Sequence, residues 1–176
     1  MEVLDLYTKD RIKTGKTMIR GGKQPKDTYR LVVHVCIFNK DGQMLIQQRQ
    51  PFKSGWPNMW DFSAGGSVIS GEDSSKAAVR EVKEELGVDI SLENKRPALT
   101  ISFSHGYDDI YLCEKEIDID SLQLQYEEVQ AARWANIGEI LEMIDEEIFI
   151  PYHKSLVELL FSLRNNSNGA HTREEK

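Results

Sequence analysis

The sequence predicts an α/β (α+β) fold in which a mixed β-sheet is sandwiched between helices. Three observations carry that expectation. Short apolar runs of strand length outnumber helical patterns, hairpin turn chemistry joins some of them, and helices interrupt the strand order without alternating with it one for one. With 176 residues, 40% of them hydrophobic, the chain supports one sizeable core and is short for two ordinary domains. The expectation is a single domain over 1–164. The polar, aperiodic residues 165–176 are expected to form a disordered tail.

Taken in order, Glu2 to Thr8 alternates apolar and polar residues as a half-buried strand does, and Lys9-Asp10 and Thr14-Gly15 supply turn chemistry after it. Leu31 to Phe38 is a nearly continuous apolar run that reads as a buried strand. Asn39-Lys40-Asp41-Gly42 makes a hairpin turn, and Met44 to Arg49 returns as its partner. Pro51 to Pro57 is a loop carrying Phe52, Lys53 and Trp56. Trp60 to Ala64 reads as a short strand that runs into Gly65-Gly66, where backbone can approach a ligand closely.

From Asp73 to Leu86 the period becomes helical and stops at Gly87, a C-terminal cap. Strands follow near Arg96 to Ser104 and Ile110 to Lys115, and another closes at Trp134. Ile137 to Ile144 and Tyr152 to Leu163 complete the pattern as helices, the second amphipathic.

The net charge of −7, with Lys and Arg reading as scattered, excludes a duplex-DNA partner of the usual basic kind. No apolar run approaches the roughly 20 residues that span a bilayer. Cys36 and Cys113 each lie in an apolar run, which suits buried free thiols. A cytoplasmic protein with no membrane contact is expected.

The chemistry concentrates on one helix. At about 100° per residue, Glu81, Glu84 and Glu85 share one arc, Ala78, Val79, Val82 and Leu86 the next, and Lys76, Arg80 and Lys83 the remainder. Three clustered carboxylates repel one another unless a cation sits among them. Hard oxygens without a Cys or His cluster suit Mg²⁺ or Mn²⁺ better than Zn²⁺.

The spacing extends beyond the helix. From Gly66, five residues lead to Glu72 and seven more to Arg80, followed by Glu81, Val82, Lys83, Glu84, Glu85, Leu86, Gly87 and Val88. This pattern matches the Nudix box at every defined position, and the chain resembles the Nudix hydrolases. The resemblance implies a loop-helix-loop within an α/β/α sandwich and hydrolysis of a nucleoside diphosphate linked to another group. It implies Glu81, Glu84, Glu85 and the carbonyl of Gly65 as metal ligands, with Gly66, Glu72, Arg80 and Gly87 structural. Glu128, just before Arg133-Trp134, resembles a further family carboxylate. The general base stays open between Glu81 and Glu85.

Candidate phosphate contacts are Arg49, Lys53 and Arg20, and Trp56 or Tyr111 is a candidate stacking platform. Trp60 reads as core, and His34 and His105 as structural histidines. Asp5 to Asp10, Thr14 to Lys16, Arg20-Gly21, Phe38 to Gly42, Leu45 to Arg49 and Trp56 to Trp60 carry a narrower likeness, over roughly Glu2 to Val88, to the Nudix branch related to isopentenyl-diphosphate isomerase. That chemistry needs a cysteine where Gly65 stands and a histidine where Gly66-Ser67 stands. Arg30 occupies the approximate place of a metal-binding histidine. Hydrolysis is therefore the expected activity, with an isomerase-like protein or a silent diphosphate-binding domain as alternatives. The partner is a small-molecule diphosphate, its identity open, and a homodimer is compatible with the N-terminal strand and terminal helix.

Overall fold

The computed structural model describes residues 2–164 and His171, so all of the expected tail except His171 lies outside the described residues. Strands β1 (Val3–Tyr7) and β2 (Lys13–Ile19) form a two-stranded antiparallel ribbon. A seven-stranded sheet holds β3 (Arg30–Phe38), β4 (Met44–Arg49), β5 (Trp60–Asp61), β6 (Ala64–Ser67), β7 (Leu99–Phe103), β8 (Gly106–Glu114) and β9 (Val129–Ala135). Helices are α1 (Ser74–Leu86), α2 (Ile137–Asp145) and α3 (Lys154–Leu163).

The sheet is mixed, as expected. Strand β3 runs parallel to β8 from Arg30↔Gly106 to Phe38↔Glu114, while its other partners are antiparallel. Successive side chains of β3 point to opposite faces, and the two cores divide accordingly. Leu31, Val33, Val35 and Ile37 pack with Ala77, Ala78, Val82 and Leu86 of α1. Cys36 and Phe38 pack with Ile140 of α2 and Val157, Leu160 and Phe161 of α3. Helices thus cover both faces, the layering expected from the sequence. Cys36 is buried and Cys113 half-buried, and both are free thiols.

Three local expectations are corrected. Thr14 and Gly15 lie inside β2 instead of forming a turn, and the ribbon tolerates Gly15 at φ 76° because this part of it is exposed. Strands β3 and β4 share the predicted turn but pair only at Phe38↔Met44. Beyond that point β4 pairs with β9 and β5, and Val32–Val35 of β3 pair with β6 instead. Gly65 and Gly66 are therefore strand residues, following the short β5.

On β8, neighbouring aspartates face opposite ways. Asp108 meets His34 Nδ1 at 2.8 Å, while Asp109 is wholly buried and accepts from Thr100 Oγ1 at 2.7 Å and from Arg11. Among the described residues no helix is long and apolar enough to cross a membrane.

Candidate active site

Helix α1 begins where Asp73 accepts a hydrogen bond from Lys76 N at 2.9 Å and ends at Gly87, φ 72°. A side chain at 87 would also collide with Gln123, whose Cβ would lie 2.7 Å away. Backbone bonds from Gln123 N to Leu86 O and from Gln125 N to Glu85 O, each 3.0 Å, hold the segment leading to Glu128 against the end of α1.

The three glutamates have different environments. Glu81 and Glu85 are buried, at 8% and 3% exposure, whereas the Glu84 side chain is 50% exposed. Glu85 accepts from Gln47 Nε2 at 2.8 Å and Gly65 N at 3.2 Å. Burial and the charge of Glu81 push its carboxyl up to about 8 against those two bonds. Burial also raises Glu81, opposed by Arg80.

Arg80 is the hub of the motif. Its Nε and Nη2 grip Glu72 at 2.9 and 3.1 Å, and Nη2 also donates to Ser67 O at 3.0 Å. Nη1 reaches Glu81 at 2.8 Å and Glu84 at 3.0 Å. Burial works against its charge, yet the bonds to Glu72 and the charges of Glu81 hold it above the ordinary arginine range. Arg80 lies off the carboxylate arc on the helical wheel, yet its long side chain reaches back to Glu72, Glu81 and Glu84.

A cleft of about 820 Å³ lies beside this helix, lined by Arg20, Arg30, Arg49 and Trp56 and floored by Gly65 and Gly66. The glutamates do not line it directly. They rest against its glycines: a Cβ on Gly66 would fall 2.2 Å from Glu81 Oε1, and Gly65 N bonds Glu85. Basic residues read as scattered are in part gathered, because β2, β3 and β4 each send an arginine from its end or the adjoining residue.

Arg49 and Trp56, both singled out from the sequence, meet in this cleft with Arg20. Arg49 Nε donates to Gly55 O at 3.0 Å, and Nη1 lies 3.9 Å from Asp61. Lys53 is placed elsewhere, paired with Glu128. Tyr111 is no stacking platform: it is 3% exposed in the core and its hydroxyl bonds Ser74 at 2.8 Å. Trp60 packs against the α2–α3 core, as expected.

Sequence reasoning passed over Gln47 and Tyr152 and read His34 as purely structural. His34 does have two partners, Asp108 at Nδ1 and the Tyr152 hydroxyl 3.3 Å from Nε2, yet it also lines the cleft. Burial lowers its pKa, but Asp108 more than compensates and the ring is raised to about 9. Tyr152 in turn donates to Asp61 at 2.8 Å. Residues 118 apart in sequence make one of these contacts, so no local pattern announces it.

The comparisons agree with this architecture. The NUDIX domain family matches residues 28–156, and the chain belongs to the Nudix hydrolase family of enzymes. An uncharacterised Nudix hydrolase of Listeria monocytogenes is 46% identical over 165 residues, covering 94% of this chain and 96% of that one. The crystal structure of a Deinococcus radiodurans protein superimposes with a TM-score of 0.70 at 26% identity, over 90% of this chain and 97% of that one. An isopentenyl-diphosphate Delta-isomerase of Shigella flexneri is 30% identical over 119 residues, 62% of this chain and 63% of its own length. The isomerase likeness is thus partial and more distant than the hydrolase likeness.

Proposed function

We propose that this chain hydrolyses a diphosphate linkage, in a nucleoside diphosphate derivative or a related diphosphate, with Mg²⁺ or Mn²⁺ held by Glu81, Glu84, Glu85 and the Gly65 carbonyl. The observation that carries this reading is the burial of Glu81 and Glu85 side by side against the glycine floor of an arginine-lined cleft.

The donors fit a hard divalent cation. Two buried carboxylates whose pKa values are both raised call for more positive charge than Arg80 alone provides. Among the described residues no three His, Cys, Asp or Glu side chains already form a metal cluster, and Arg80 holds both Glu81 and Glu84. Glu81 and Glu84 would both share their carboxylates between Arg80 and a bound metal, and the half-exposed Glu84 is the freer of the two to turn. When bound, the metal neutralises phosphoryl charge and lowers the pKa of coordinated water.

The protein's own groups do the rest. Arg20, Arg30 and Arg49 offset the negative charge of a diphosphate and orient its oxygens. Trp56, 51% exposed at the rim, offers a face to a flat group. Glu81 or Glu85 accepts the proton of the attacking water, and Glu128, whose charge is felt by Glu85, is a further acceptor. Isomerase chemistry is disfavoured by sterics as well as by sequence. A Cβ on Gly65 would lie 2.6 Å from His34 Cδ2, leaving no room for a cysteine unless His34 moves.

The test is a panel of diphosphates assayed with Mg²⁺, with Mn²⁺ and with chelator. Glu84→Gln and Glu85→Gln are each expected to lower hydrolysis at least ~100-fold with the fold intact. Full activity in chelator, or near-normal rates in both variants, overturns the metal assignment. Deuterium uptake from heavy water into isopentenyl diphosphate, without hydrolysis of any panel member, overturns the hydrolase reading.

A further inference from the structure

Arg30, at the start of β3, lines two cavities at once. One is the cleft described above. The other, of about 700 Å³, lies between the 22–29 segment and the β7–β8 turn, with Lys23, Lys26, Tyr29 and His105 in its wall. Arg30 Nε is buried and has no hydrogen-bond partner, while Cζ sits 5.9 Å from the centre of the Phe103 ring. A buried donor without an acceptor is unfavourable by ~1–3 kcal/mol, so an acceptor brought within reach of Arg30, by a ligand or by an ordered water, is favourable.

The charge around it points the same way. Between residues 20 and 30 stand Arg20, Lys23, Lys26 and Arg30 against one acid, Asp27, in a chain of net charge −7. Arg20 is paired with Glu2 at 2.7 Å. Lys23 and Lys26 make no ion pair among the described residues. Lys23 and Lys26 are exposed and Asp27 shares their cavity wall, which leaves that wall net positive and favourable to an anion.

The segment is also held in place. Gln24 Nε2 donates to Thr28 O at 2.6 Å and to His105 O at 2.9 Å, and Thr28 Oγ1 donates to Pro25 O at 2.6 Å. Arg30 N closes the turn by bonding His105 O at 3.0 Å. The lysines are thus carried on a fixed turn before any ligand arrives, which reduces the ordering entropy of binding.

We propose that this second cavity is a subsite for an additional phosphate-class anion, carried by the substrate beyond the diphosphate that lies in the neighbouring cleft. Arg30 is the shared wall between the two anionic positions. The proposal rests on the hydrolase reading. A substrate ending in a neutral prenyl chain or plain sugar leaves Lys23 and Lys26 without a counter-ion and Arg30 Nε without an acceptor.

The experiment compares diphosphates that differ by one remote phosphate: coenzyme A with its 3′-dephospho form, and NADP⁺ with NAD⁺. In each pair kcat/KM is expected to favour the phosphorylated member by at least ~10-fold. In the double variant Lys23→Ala/Lys26→Ala that ratio is expected to fall close to one. Equal use of both members by the unmodified protein overturns the subsite, as does a preference that survives the double substitution. If no diphosphate is cleaved, the hydrolase reading fails, and the subsite is judged by calorimetry with adenosine 3′,5′-bisphosphate. Binding at least ~10-fold tighter to the unmodified protein than to the double variant supports it. Equal or absent binding overturns it.

Discussion

Helices α1 and α3 cover opposite faces of one sheet and obey different rules. What α3 buries is apolar: Val157, Leu160 and Phe161, with Phe161 edge-on to Phe38 at 5.1 Å. What α1 buries includes two glutamates among Ala77, Ala78, Val82 and Leu86. Acidic side chains are seldom fully buried unless paired, so the α1 face gives up packing economy for a place to hold charge. The α3 face carries stability alone, whereas the α1 face divides its residues between stability and chemistry.

The sharpest way to break this contrast is Phe161→Ala. It should destabilise the protein by ~3–5 kcal/mol, read as a shifted denaturant midpoint, with hydrolysis per folded molecule retained. A loss of activity without loss of stability would show that α3 is not merely structural.

Glu85→Gln tests the other helix in the opposite sense. With chelator present, the folded carboxyl is raised to about 8 from an ordinary 4.5, so the folded state holds its proton longer than the unfolded state does. Stability linked to Glu85 is therefore complete below about 4.5 and falls as pH rises toward 8. The expected decline between pH 5 and pH 8 is on the order of 3 kcal/mol, and it should disappear in Glu85→Gln. Urea titrations of both proteins between pH 5 and pH 8 measure it; parallel pH profiles would show that burial does not burden Glu85.

The smallest effect expected is at the start of α1. Asp73→Ala removes the side chain that accepts from Lys76 N and should cost ~1 kcal/mol in thermal stability, leaving the chelator-dependent behaviour of Glu85 in place. A change in metal affinity here would mean that the cap also tunes the site.

Which parts were readable from sequence follows from how local their causes are. Helix α1, its C-terminal cap and the carboxylate arc are legible because spacing within 23 residues determines them. The glycine pair is legible as a place where backbone comes close to a ligand, whereas its contact with Glu81 and Glu85 is not, since it depends on how α1 packs on β6. Strand β2 was hidden because Thr14-Gly15 carries turn chemistry inside an exposed ribbon whose register shifts between Asp5 and Tyr7. The near-absence of β3–β4 pairing was hidden too, since β4 is claimed by β9, a strand about ninety residues downstream. Arg30 and His34 join the cleft through such long-range pairing and Tyr152 through its hydroxyl contacts with His34 and Asp61, and nothing in their immediate neighbours marks these contacts.

Asp108 and Asp109 carry a consequence for how the chain finds its sheet. Sliding β8 by one residue along β3 would exchange their faces, turning one carboxylate away from His34 and the other away from Arg11 and Thr100. A slip in either direction leaves one of the two sites without a carboxylate, and Gly106 adds a steric bar of its own, since a Cβ there would sit 2.2 Å from Arg30 O. Only the observed alignment fills both sites with a carboxylate at once, so the doublet favours one register of β8 along β3.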